Sequence, residues 1–166
     1  MDPAAALALT IAVHVGCGGI AVACGAAAML TRKGSHRHRR FGRVYLAALT
    51  GLGLTAPILA AVDWAHRWHL AVLGTLALGS AATGFAAIRL LRPARVAVHI
   101  TGMSTAYIVM LTAFYVDNGP RLPLWNQLPV LVLWLLPAAV GAPVLIRALR
   151  RHRRPHPAAV DPGHSP

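Results

Sequence analysis

Apolar and polar positions along this chain do not alternate finely; they come in long blocks. Largely apolar stretches run over residues 4–30, 44–62, 70–91, 96–116 and 129–149, the third interrupted by Arg89 near its end. Each is close to the ~20 residues a helix needs to cross the hydrocarbon core of a bilayer. A backbone in hydrocarbon has no water to bond, so each block must satisfy its N–H and C=O groups internally, which a helix does. The ~10-residue alternating segments of a membrane barrel are absent. The pattern predicts an all-α integral membrane bundle of five transmembrane helices over residues 1–150. Residues 151–166, rich in Pro and basic side chains, are expected to form a disordered tail. The first block lacks a basic segment before it and is too long for a signal sequence, so it is expected to be a retained span.

Composition narrows the class. Of 166 residues, 57% are hydrophobic and 12% charged, and mean hydropathy is +0.59. That argues against a soluble enzyme, a disordered chain and a disulfide scaffold. Cys17 and Cys24 are about 10 Å apart along a helix, too far to bridge, and are expected to be small apolar packers.

Charge sets the orientation. Sixteen Lys and Arg stand against four Asp and Glu, a net charge of +12. The first loop region carries Arg32, Lys33, Arg37, Arg39, Arg40 and Arg43; the third carries Arg89, Arg92 and Arg95; the tail region carries Arg147, Arg150, Arg151, Arg153 and Arg154. The intervening side has only Arg67 and Arg121. This alternation predicts an N-terminus outside and a C-terminus in the cytoplasm. The basic residues cluster at the ends of apolar blocks rather than along a groove-reading helix, so nucleic acid is not implied. Arg37, Arg39, Arg40, Arg43, Arg150 and Arg151 are expected to meet anionic headgroups at the cytoplasmic face. Trp64, Trp68, Tyr115 and Trp125 are expected at the outer boundary and Tyr45 at the inner one.

The acids are Asp2, Asp63, Asp117 and Asp161, all outside the predicted spans. An intramembrane carboxylate relay, an aspartyl dyad, a zinc helix, a phosphate loop and a nucleophile elbow are therefore not indicated. Histidines remain. His14 lies in the first span and shares its face with Gly18, Ala21, Gly25 and Ala28. His69, with His66 one turn before it, opens the third span. His99 begins a stripe of Met103, Tyr107, Met110 and Phe114 on the fourth, within an arc of about 80°. This stripe reads as bundle core or as the wall of a cofactor pocket. Depth along the helices separates His14 from His99 and favours two sites. His14 with His69 or His66 would lie toward the outside, and His38 with His99 toward the inside. Such pairs are candidate ligands of haem b, with Met103 and Tyr107 lining the site and Arg39, Arg43 or Arg95 meeting propionates. Copper held through His99 and Met103 is a further option. Ser80-x3-Gly84 and Gly102-x3-Ala106 are small-residue contacts for close helix packing, and Pro57, Pro137 and Pro143 are expected to kink the second and fifth spans.

The stretch from His38 to Tyr45 has the form HRxxGRxY. Gly42 within it is expected to permit a tight turn into the second span, with His38 capping a neighbouring helix end or reaching a site between helices. The fourth span reads HITGMSTAY from His99 to Tyr107 and is followed by TAFYVDNGP. Together these elements resemble the domain of unknown function 2306 family (DUF2306), over about residues 11–147. The family often carries an HR pair before its later span, whereas here Ile100 follows His99. The resemblance implies a multi-pass protein of the bacterial cytoplasmic (inner) membrane and brings no established reaction, cofactor or substrate.

These features point first to a structural or interaction component of the membrane without chemistry of its own, acting as a homo-oligomer or with a membrane partner. One alternative is a small b-type haem electron carrier using His14, His38, His69 and His99. Another is a subunit of a small-solute transporter.

Overall fold

The computed structural model describes residues 2–90 and 94–153. It contains five long helices: α1 (Pro3–Leu30), α2 (His36–Val62), α3 (Trp64–Leu90), α4 (Arg95–Asn118) and α5 (Val130–Arg153). All five are long and apolar enough to span a membrane. Two single 3₁₀ turns, Gly119–Arg121 and Trp125–Gln127, join α4 to α5. Of the expected tail, residues 151–153 continue α5, and 154–166 lie outside the described residues.

The helices begin and end at their capping residues, beyond the apolar blocks. Asp2 accepts from the Ala4 N–H, and Pro3 occupies the first turn, where its missing N–H costs nothing. Gly34 takes φ +76°, and Ser35 then caps α2 by accepting from the His38 N–H at 3.1 Å. This corrects the turn expected at Gly42. The tight turn is at Gly34, and the whole HRxxGRxY element is helical. Tyr45 consequently lies well inside α2 and is 2% exposed, so it is a core residue rather than an anchor at the inner boundary. Asp63 alone separates α2 from α3. Its carbonyl accepts from the Arg67 N–H at 2.9 Å and its carboxylate meets His66 Nδ1 at 2.9 Å. Helix α3 therefore starts at Trp64, a turn and a half before the apolar block. Hydropathy marks the hydrocarbon, not the helix ends.

Neighbours in sequence pack as antiparallel neighbours in space: α1 on α2, α2 on α3, α3 on α4 and α4 on α5. The Tyr107 hydroxyl donates to the Val22 carbonyl at 3.1 Å and brings α4 back onto α1. The core is built largely of small side chains, with Ala21, Ala48, Ala77, Ala81 and Ala106 around Tyr45, Leu49 and Met110. The closest crossing is between α3 and α4. A Cβ on Gly102 would stand 2.6 Å from the Ser80 carbonyl oxygen and 2.7 Å from Gly84 Cα. The two small-x3-small elements thus face each other, backbone on backbone. On α4, Met110 is buried but Phe114 is 47% exposed, so the predicted stripe leaves the bundle at its last member.

Gly102→Val is expected to lower stability in detergent by about 1–3 kcal/mol through forced separation of α3 and α4. Gly16→Ala, which meets open space, should be close to neutral in the same unfolding assay. The His66 hydrogen bond holds the Asp63 carboxyl below the usual carboxylate range. A depressed value means that the pair supports the α2–α3 turn above about pH 4 and ceases to do so as the pH falls through that value. An NMR titration should find Asp63 low in the parent and near the ordinary value in His66→Ala.

Candidate functional site

The inner centre is built at the junction of α1, α2, α3 and α4. Helix α1 ends with carbonyls that have no intrahelical partner. The Ala28 carbonyl accepts from Thr31 Oγ1 at 3.1 Å and Lys33 Nζ at 3.2 Å, and Lys33 also reaches the Met29 carbonyl. A cation there complements the negative end of the helix dipole. Burial pushes the Lys33 ammonium below its ordinary value. His38 Nδ1 lies 2.9 Å from the same Ala28 oxygen. His99 Nδ1 lies 2.9 Å from the Gly84 carbonyl, at the tight α3–α4 crossing. A carbonyl can only accept, so Nδ1 carries a proton in both rings, which in a neutral imidazole leaves Nε2 its lone pair. The rings themselves are neighbours, with centroids 6.4 Å apart and planes at 77°. Both side chains are half-buried.

Tyr45 and Tyr107 lie deeper, their ring centroids 6.1 Å apart. Gly25 is their seat, since a Cβ there would stand 2.5 Å from the Tyr107 ring. Tyr107 spends its hydroxyl on α1, and Met103 packs against the core, so these two residues serve helix packing. The Tyr45 hydroxyl is buried without a hydrogen-bond partner among the described residues.

The outer centre differs. His14 Nδ1 meets Thr55 Oγ1 at 2.8 Å, and the Thr55 hydroxyl donates to the Gly51 carbonyl at 2.9 Å. The structure thus pairs His14 with Thr55 rather than with His69. His69 is 8% exposed and lies between the rings of Trp68 and Trp134, centroids 6.3 and 6.2 Å away. Its Nε2 has no hydrogen-bond partner among the described residues and stands 4.0 Å from Asp117 Oδ1. Asp117 belongs to the last turn of α4, which runs past the predicted span, so one acid does enter the helical bundle's end. His66 is exposed and committed to Asp63, away from this centre. Thr55, Asp117 and Trp134 were not legible as partners. Thr55 resembles any span threonine, and Asp117 carried only the signal of an acid flanking a span. Among the described residues, no group of three or more His, Cys, Asp or Glu is arranged to hold a metal ion. Cys17 and Cys24 are free thiols. Arg37, Arg39, Arg40, Arg43, Arg150 and Arg151 are all exposed, at the end of the bundle opposite Asp2, Asp63 and Asp117.

Nitrogen-15 spectra of histidine-labelled protein should show the Nδ1 atoms of His38 and His99 protonated and hydrogen-bonded. An unprotonated Nδ1 at either position would refute the bonding to Ala28 and Gly84.

A family model described as predicted membrane protein (DUF2306) matches residues 11–131. No curated protein and no solved structure matches the chain. The matched segment begins before His14 and ends at the start of α5, so it contains the histidines of both centres and the α3–α4 crossing, but not Trp134. With well over half of its length matched and five helices able to span a bilayer, this multi-pass membrane protein belongs to the DUF2306 family.

Proposed function

We propose that this protein is a small b-type haem-binding electron carrier of the bacterial cytoplasmic membrane, in which His38 and His99 would hold the haem. The observation that carries this reading is the 6.4 Å separation of the two rings. Two imidazoles bound through Nε2 to opposite sides of one metal have centroids roughly 6 Å apart, given metal–nitrogen bonds of about 2 Å. Both Nδ1 protons go to backbone carbonyls, the second contact that orients a ligating imidazole and raises its basicity. A bare ion asks for three or four protein ligands, whereas a haem iron brings four nitrogens and asks for two. One turn beyond His38, a side chain on Gly42 would meet nothing within 4 Å, which leaves room for a flat ring on that face of α2. Arg95, one turn before His99, and Arg39 are the cations for propionates.

Bound haem would supply one-electron chemistry. The chain would fix the two imidazoles, hold the group toward one membrane face and surround it with apolar helices. The outer centre is not part of this reading, because His69 turns its Nε2 toward Asp117. The arginine-rich end would face the cytoplasm, against anionic headgroups. A second reading, an interaction component without a cofactor, is favoured by α5, which leaves Val130, Leu131, Leu135, Val140 and Val144 exposed for lipid, a second copy or a partner helix.

Purified in detergent after haem-replete expression, the protein is expected to show a Soret band and, after dithionite, a sharp α-band. His38→Ala and His99→Ala should each abolish both bands, Gly42→Leu should weaken them, and His14→Ala should keep them. A colourless parent protein overturns the haem reading and leaves the interaction component.

A further inference from the structure

Outside both histidine centres, α2 and α3 leave a groove of about 430 Å³ on the bundle's surface. Its walls are Leu46, Ala47 and Thr50 on α2 and Leu78, Ala82 and Phe85 on α3. Ala47 and Ala82 contribute only methyl groups to these walls. Thr50 bonds its hydroxyl to the Leu46 carbonyl at 2.8 Å, so the groove carries little unsatisfied polarity. Arg43 stands at one end of it. There the Arg89 guanidinium lies over the Phe85 ring, 4.6 Å from its centroid. Both arginines are exposed, and neither forms an ion pair among the described residues. The described acids, Asp2, Asp63 and Asp117, are all at the other end of the bundle.

We propose that this groove binds one anionic phospholipid, with an acyl chain between α2 and α3 and the phosphate held by Arg43 and Arg89. Guanidinium groups grip phosphate oxygens in pairs, and stacking on Phe85 holds one of them in place. From Arg43 to Thr50 the groove follows about 10 Å of helix, long enough to take the upper part of an acyl chain below its headgroup. A second copy of this chain is a poor occupant, because it offers no described carboxylate at this end to meet the two cations.

The test is native mass spectrometry of the delipidated full chain with added phosphatidylglycerol or phosphatidylcholine. The expected result is one lipid bound, with phosphatidylglycerol favoured about tenfold, a factor worth about 1.4 kcal/mol. Arg43→Gln with Arg89→Gln should erase that preference and leave phosphatidylcholine binding unchanged. Ala82→Phe should block the groove and reduce binding of both lipids. Arg32→Gln with Arg147→Gln removes the same charge at the same end of the bundle and should change nothing. An equal loss in that control pair would make the effect a diffuse surface potential and overturn the site. So would an unchanged preference in the Arg43 and Arg89 variant. Inorganic phosphate binding as strongly as phosphatidylglycerol in the same spectra would overturn the acyl-chain part.

Discussion

The backbone contact between Gly84 and Gly102 is the constraint on which the rest of this bundle depends. Helices in lipid gain little from hiding apolar surface from one another, because the lipid is equally apolar. They associate where their backbones can come close. With no side chain at either glycine, α3 and α4 touch through main-chain atoms, and the depth of α4 is set against α3. That depth puts His99 level with the Gly84 carbonyl at one end and Asp117 near His69 at the other. Both centres are downstream of one close crossing.

The histidines show two solutions to the cost of a polar ring in an apolar bundle. An imidazole N–H buried without a partner costs a few kcal/mol. His14, His38 and His99 each spend Nδ1 on a group of a neighbouring helix: a threonine hydroxyl, a helix-end carbonyl and a mid-helix carbonyl. These bonds cross-link helices and fix ring orientation together. His69 leaves Nε2 unpartnered among the described residues, facing a carboxylate slightly beyond hydrogen-bond range and flanked by two indoles. The inner rings are thus oriented through Nδ1, with no hydrogen bond at Nε2 among the described residues, whereas the outer one looks toward a charge.

Charge follows the same end-to-end division. Antiparallel helices collect Asp2, Asp63 and Asp117 at one end and the arginines of α2, α4 and α5 at the other. A cationic rim against anionic headgroups orients the molecule without any specific contact. The α2–α3 groove adds shape to that field, since small residues line it below Arg43 and beside Arg89.

By itself the sequence determined the class: five helical spans, the asymmetric charge and the small-residue elements at 80–84 and 102–106. These follow from local hydropathy and spacing, and solvent and lipid act on each segment almost independently of the others. The HRxxGRxY element was visible as a string, but its conformation was not. Whether Gly34 or Gly42 makes the turn depends on which residue caps α2, and Ser35 settles it by meeting the His38 N–H. Only the tertiary structure decided which histidines share a centre. The sequence allowed His14 to meet His69 or His66. In the bundle, Thr55 takes His14, Asp63 takes His66, and Asp117 faces His69. Tyr45 moved from boundary to core, and Phe114 from core to surface, for the same reason. A helix face is set by periodicity, but what that face meets is set by how closely its neighbours approach, and here that distance is governed by glycines on other helices.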